Sequence, residues 1–191
     1  MSAHRSDIAG LILAGGESKR MGRNKALLTV DGVPFVQRIV NTLHQRFSLI
    51  LISANDSSQY AFLNLPVIPD VFKQCGPLAG IHAAFRAEPA DYFFTVTCDI
   101  PFISIQVIDL LIDKIEEKSV VIADDGMQTH PLIGIYPRAI YSLLENYLRE
   151  GKRQVHEFIE TVDVIKTEVS PYARSVLNIN TPDIYRREVG R

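Results

Sequence analysis

The chain has 191 residues, 47% of them apolar and 22% charged, with a formal net charge of −2 and no long run of one sign. This length reads as one domain with room for a substantial core. The charge excludes nucleic acid as the main partner, so any basic site must be local, and no apolar run reaches the roughly 18 residues that span a bilayer. Met1 to Asp7 is polar, without an apolar signal region, which makes the cytoplasm the expected location. Cys75 and Cys98 form neither a close metal pair nor a disulfide framework, and nothing has the spacing of a structural zinc site.

In chain order, Ile8–Leu13 is a continuous apolar run that reads as a buried strand. It opens into Leu13-Ala14-Gly15-Gly16-Glu17-Ser18-Lys19-Arg20-Met21-Gly22-Arg23-Asn24-Lys25. Two glycines let the backbone turn sharply and approach a ligand closely, and Lys19, Arg20 and Lys25 follow. Exposed backbone N–H groups and cations both favour anionic oxygens, so this is a place to hold a triphosphate. The spacing is not that of a Walker loop, because Gly16 follows Gly15 where lysine is needed. It is not the G-x-G-x-x-G dinucleotide fingerprint either. On these residues alone, an ordinary strand and turn with surface cations fits equally well.

Pro34 opens a predicted helix to about Arg46, with Val36, Ile39, Val40 and Leu43 on one face. Leu49–Ser53 is a second strand. Asp70 follows a short extended run, where a turn aspartate competes with a ligand contact. Pro77 begins a helix ending near Arg86. Tyr92–Thr97 is a third strand, and Asp99 projects from its end. A carboxylate there suits magnesium (Mg²⁺), which takes hard oxygen ligands; capping the turn before Pro101 is the competing role. Ser104 is set to cap a helix whose apolar face carries Ile105, Ile108, Leu111, Ile112 and Ile115. Val120–Ala123 is a fourth strand. Further on, Leu132–Tyr136 and Val162–Lys166 read as short strands. Ala139–Glu150, ended by Gly151, together with Val155–Glu160 and Pro182–Arg187, read as helices. The alternation implies a three-layer α/β fold with a mostly parallel sheet and right-handed crossovers. Ligands of open α/β sheets sit at the carboxyl ends of the strands. Gly15, Asp99 and His130 all fall near such ends and are expected to share a cleft.

The pattern L-A-G-G-x-x-x-R-M-G-x-x-K resembles the opening motif of nucleotidyltransferases with a Rossmann-like fold. Three later segments follow in order: Gly76-Pro77-Leu78-Ala79-Gly80, Thr97-Cys98-Asp99-Ile100-Pro101 and Asn178-Ile179-Asn180-Thr181-Pro182-Asp183. Together they are similar to the molybdenum cofactor guanylyltransferase family, the molybdopterin-guanine dinucleotide synthases, from about Ile8 to Ile184. The resemblance implies transfer of GMP from GTP to the phosphate of Mo-molybdopterin with release of pyrophosphate. It implies Mg²⁺ held by Asp99 and phosphates held by Lys25 and Arg20. The nucleotide site would be formed by Leu13, Ala14, Gly15, Gly16, Ser53, Asn55, Asp70, Gly76, Pro77, Leu78 and Gly80. Relatives that transfer cytidylyl groups commonly read L-A-A-G, so a missing Cβ at Gly15 and Gly16 would leave room for a purine. Backbone groups of Gly76–Gly80 would suit the donors and acceptors of guanine.

His130, Arg153, Asn178 and Asn180 resemble positions around the acceptor's pterin pocket. A turn histidine, a helix-surface charge and turn-shaping asparagines are their bland alternatives. The family often has N-A-N after its second strand, whereas this chain has Ser53-Ala54-Asn55, so Ser53 has shorter reach and Asn55 is the compensating candidate. Cys98 is expected to be a small buried neighbour, not a nucleophile, and His44, His82 and His156 to be structural or exposed. Handover to molybdoenzyme chaperones, and contact with the molybdenum-inserting enzyme, rest on the resemblance alone. A cytidylyltransferase for the same cofactor, a sugar-phosphate nucleotidyltransferase and a non-catalytic cofactor carrier are the rival readings.

Overall fold

A computed structural model describes residues 8–15 and 25–189. Its centre is a seven-stranded sheet in the order β5-β4-β1-β6-β8-β7-β9. The strands are β1 (Ile8–Leu13), β4 (Ile50–Ser53), β5 (Val67–Ile68), β6 (Tyr92–Thr97), β7 (Val120–Asp124), β8 (Thr129–Pro137) and β9 (Val164–Glu168). β1 pairs in parallel with β4 and β6, β4 with β5, and β7 with β9, while β8 runs antiparallel to both its neighbours. A separate hairpin joins β2 (Thr29–Val30) to β3 (Val33–Pro34). The mostly parallel sheet and the α/β class follow the sequence reading.

Both faces of the sheet are covered, which is why its strands read as unbroken apolar runs. Side chains alternate between two cores. Ile8 and Ile12 of β1 point to one, with α1 (Phe35–Leu43) and α3 (Ile105–Ile112) supplying Val36, Ile39, Val107 and Leu111. Ala9, Leu11 and Leu13 point to the other, with α2 (Pro77–Ala87), α4 (Tyr141–Arg149) and α5 (Val155–Ile159) supplying Leu78, Ile81, Phe85, Leu144 and Phe158. The last helix, α6 (Pro182–Glu188), has Thr181 as its N-cap, whose hydroxyl accepts the Ile184 N–H at 3.3 Å.

Several boundaries differ from expectation. Pro34 belongs to β3 and precedes α1, because its extended backbone closes the hairpin. Ser104 holds the N-cap position of α3 in an extended conformation, but its hydroxyl makes no cap hydrogen bond and is buried without a partner among the described residues. The Ala139–Glu150 helix is a 3-10 turn at Arg138–Ile140 followed by α4. β9 begins two positions after the predicted Val162, because pairing with β7 sets Val120 opposite Val164.

Candidate functional site

The carboxyl ends of β1, β4 and β6 and the start of α2 surround an open cleft. It is lined by Leu13, Gly15, Lys25, Ser53, Asp70, Gly76, Pro77, Thr97, Cys98 and Asp99. The sheet register explains the convergence. Leu13 pairs with both Ser53 and Thr97, so the three strand ends are level, and each chain then leaves the sheet at the same edge. Two backbone bonds hold the exits: Ala14 N–H donates to Ser53 O at 2.9 Å, and Cys98 N–H donates to Leu13 O at 3.1 Å.

Asp99 is oriented from two sides. Thr97 Oγ1 donates to its Oδ1 at 2.6 Å, and Lys25 Nζ lies 3.5 Å from its Oδ2. Both side chains are mostly buried, at 20% exposed for Lys25 and 14% for Asp99. The Asp99 carbonyl accepts the Ile179 N–H at 2.8 Å, which ties the C-terminal segment to this carboxylate. Asn178, next along that segment, has a buried Oδ1 with no hydrogen-bond partner among the described residues. Burial first, and then the neighbouring Asp99 charge, push the Cys98 thiol up to about 12, so it remains a protonated thiol at neutral pH.

Across the cleft, Asp70 is bracketed. Ser53 Oγ donates to its Oδ1 and Asn55 Nδ2 to its Oδ2, each at 3.2 Å. Asn55 Oδ1 in turn accepts from the Asp70 backbone N–H at 3.3 Å and from Lys73 Nζ at 3.2 Å. Serine at position 53 therefore still reaches the acidic residue, and Asn55 positions it from outside the cleft. A Cβ built on Gly15 would make only ordinary contacts, 3.7 Å from Asp70 Oδ2 and from Ser53 O. The protein's own packing does not require glycine there.

Gly76, at φ +70°, precedes α2 in a conformation that side chains rarely adopt. Pro77 at the first helical turn lacks an N–H where none is needed. Leu78 and Gly80 were expected at the nucleotide, but their side-chain positions face the core. Leu78 is fully buried among Leu13 and Leu51. A Cβ on Gly80 would lie 2.4 Å from Ser53 Oγ and 2.8 Å from Leu13 Cδ2, so glycine here allows α2 to approach the sheet.

Gly16 and Arg20 lie outside the described residues. None of the four acceptor candidates lines the cleft, so the shared cleft expected for Gly15, Asp99 and His130 holds for the first two only. His130 stands at the same sheet edge, hydrogen-bonded to Asp125. Arg153 is exposed, and its carbonyl lies 3.9 Å from the Cβ position of Gly76. Asn180 is exposed beyond Ile179. Sequence reasoning missed Thr97 and Lys73, whose contacts run through Asp99 and Asn55. A hydroxyl two residues before the carboxylate, in Thr97-Cys98-Asp99, is the signal that marks the first.

Residues 10–164 match the family described as the MobA-like NTP transferase domain. A probable molybdenum cofactor guanylyltransferase of Carboxydothermus hydrogenoformans is 37% identical over 182 residues, covering 92% of each chain. A molybdenum cofactor guanylyltransferase of Rhizobium leguminosarum bv. trifolii is 35% identical, covering 95% of this chain and 91% of its own. Among solved structures, molybdopterin-guanine dinucleotide biosynthesis protein A from Archaeoglobus fulgidus superposes with a TM-score of 0.81 at 24% identity. That match covers 95% of this chain and 97% of the other, and it bears on the fold.

Proposed function

The chain belongs to the family of MobA-like NTP transferases, and from that membership we infer that it is a molybdenum cofactor guanylyltransferase. It transfers GMP from GTP to the phosphate of Mo-molybdopterin, forming the guanine dinucleotide cofactor and pyrophosphate. An acceptor phosphate oxygen attacks the α-phosphorus of GTP. The bond from that phosphorus to the oxygen bridging the β-phosphate breaks, and pyrophosphate leaves with the electron pair. No covalent enzyme intermediate is required, in keeping with a Cys98 thiol that stays protonated.

The observation that carries this reading is Lys25 facing Asp99 at the level ends of β1 and β6. Phosphoryl-type transfer is accelerated chiefly by positioning and by charge placed in advance on the phosphates. Lys25 is the cation available for that role, and Arg20 belongs to the same reading. Asp99 fits Mg²⁺. Its carboxylate, oriented by Thr97 in the lining of the cleft, would supply a hard oxygen ligand to an ion that takes most of its other ligands from phosphates and water. Such an ion would neutralise negative charge on the triphosphate. Asp70, held by Ser53 and Asn55, would contact the nucleoside in this reading, and Gly15 leaves space beside it. Gly76 and the first turn of α2 present backbone groups on the same side.

His130, Arg153, Asn178 and Asn180 form the acceptor half of this reading. Asn178 supports it most directly, because a buried amide oxygen without a partner is costly unless a ligand satisfies it. A cytoplasmic location and handover to molybdoenzyme chaperones and the molybdenum-inserting enzyme extend the reading on family grounds. Among the described residues no helix is long and apolar enough to cross a membrane.

The test is incubation of the purified chain with Mg²⁺, Mo-molybdopterin and either GTP or CTP, with pyrophosphate and the dinucleotide cofactor measured. Both products from GTP, and little from CTP, are expected. Preference for CTP would make the protein a cytidylyltransferase, and binding without turnover would make it a carrier.

A further inference from the structure

The turn between β7 and β8 holds a hydrogen-bonded pair that the cleft does not use. Asp125 Oδ1 accepts the backbone N–H of Met127 at 2.9 Å and of Gln128 at 2.8 Å, so this oxygen shapes the turn. The other oxygen, Oδ2, lies 2.8 Å from His130 Nε2. Both side chains are largely enclosed, at 14% and 13% exposed. Burial by itself would push the Asp125 carboxyl up, but the hydrogen bonds from His130, Gln128 and Met127 outweigh it and hold the group below the ordinary carboxylate range.

An ionised carboxylate can only accept, so His130 Nε2 carries the proton. In the neutral ring, Nδ1 is then a bare acceptor. Nδ1 has no hydrogen-bond partner among the described residues.

The pair stands at the end of the sheet that carries Asp99. Ala123, near the end of β7, pairs with His130, and Asp99 leaves β6 at the same edge of the sheet. The turn also packs on the segment leading to Asn178. Val169 N–H donates to Asp124 O at 2.7 Å, and a Cβ on Gly126 would lie 3.6 Å from Ser170 Cβ. That segment runs on through Asn178 to Ile179, which is bonded to Asp99.

We propose that Asp125 is a positioning residue for the acceptor: it locks His130 as the Nε2–H tautomer, so that Nδ1 accepts a hydrogen bond from a ring N–H of the pterin. The identity of the acceptor rests on the guanylyl-transfer reading above. A pair that merely staples the turn needs the same tautomer, but pterin affinity would then not depend on it.

Asp125→Asn separates the two roles. The amide oxygen can keep both turn bonds while the amide nitrogen faces Nε2 and donates to it, which moves the imidazole proton to Nδ1. The donor character offered to the pterin is thereby inverted with almost no change of shape. Nitrogen NMR of the full chain should show Nε2–H in the wild type and Nδ1–H in Asp125→Asn. Anaerobic calorimetry with metal-free molybdopterin should show Kd raised about tenfold, the scale of one lost hydrogen bond, with the Kd for GTP unchanged. His130→Gln leaves the turn bonds of Asp125 alone and should give the same loss, so a poorly folded Asp125→Asn would not remove the test. Unchanged pterin affinity in His130→Gln, or Nδ1–H in the wild type, overturns the proposal. If guanylyl transfer is absent but pterin affinity still depends on the tautomer, the reaction assigned above falls and the role of Asp125 stands. Intact transfer with pterin affinity indifferent to these variants is the reverse result.

Discussion

At the scale of single residues, the roles proposed for Asp99 and Lys25 weigh on rate more than on stability. Their ion pair is at 3.5 Å and mostly buried. An exposed pair contributes about 0.2–1 kcal/mol and loss of one partner from an enclosed pair costs more, whereas a preorganised charge at a transferring phosphoryl group is worth roughly 10²–10³ in rate. Asp99→Ala should therefore lower the melting temperature by several degrees yet remain folded. Its pyrophosphate release should fall at least about a hundredfold. Full turnover in that variant would remove Asp99 from the metal. Lys25→Ala should likewise fold but bind GTP more weakly in calorimetry by about tenfold or more, the cost of a lost charge-assisted hydrogen bond; unchanged affinity would sink its assignment. Thr97 was not singled out in the sequence because its role is to hold Asp99, and a contact through a second side chain leaves no motif of its own.

At the scale of elements, α2 shows how packing and site share residues. Replacing Gly80 by alanine adds roughly 1 kcal/mol of helix propensity. It also drives a Cβ to within 2.4 Å of Ser53 Oγ and 2.8 Å of Leu13 Cδ2. Overpacking of a tight contact costs about 1–3 kcal/mol, so the net effect is destabilising. Because Leu13 and Ser53 both line the cleft, weaker GTP binding should accompany a lower melting temperature. A variant that melts at or above the wild-type temperature would refute the close approach of α2. The same element was legible in the sequence, as were β1, β6 and α3, because continuous apolar runs and a 3.6-residue period report burial directly. The β2–β3 hairpin was missed although its signal is present. Asp31 and Gly32 both have positive φ, as a type I′ turn requires, and valines flank them. Pro34 masked it by also reading as a helix start. The reversed direction of β8 has no counterpart in its apolar pattern, since an antiparallel strand buried on both faces reads like a parallel one. The convergence of Gly15, Ser53, Asp70 and Asp99 on one cleft was legible because these residues follow strand ends. The residues proposed for the acceptor lie on turns and on the C-terminal segment, where spacing along the chain does not report proximity.

At the scale of the whole molecule, acid stability depends on how the second core is closed. His82 of α2 is fully buried. It stacks on Tyr141 at 5.0 Å between ring centroids and meets Phe72 edge-on at 4.9 Å. Neither ring nitrogen has a hydrogen bond of ordinary length among the described residues, and Glu145 of α4 lies 3.9 Å from Nε2. Burial lowers the His82 pKa; Glu145 opposes that shift, while Arg86 and Arg149 add to it. The folded state therefore binds this proton less readily than the unfolded chain, whose histidine titrates near its usual value of about 6.5. Above that pH neither state is protonated and the stacked, neutral ring costs nothing. Below it, the unfolded chain takes up a proton that the folded core resists. Unfolding free energy should then fall with pH at a slope of up to about 1.4 kcal/mol per unit, starting near pH 6.5, before the carboxylates titrate. Urea unfolding at a series of pH values from 8 to 5 measures the slope, and His82→Phe, which keeps the aromatic stack without the proton, should flatten it. Because α2 also begins at the cleft, the same loss should reach the nucleotide site in the wild type. Equal slopes in the two proteins would mean that acid acts elsewhere, with Asp56, Asp125 and Glu145, all held below their usual values, as the groups left to account for it at lower pH.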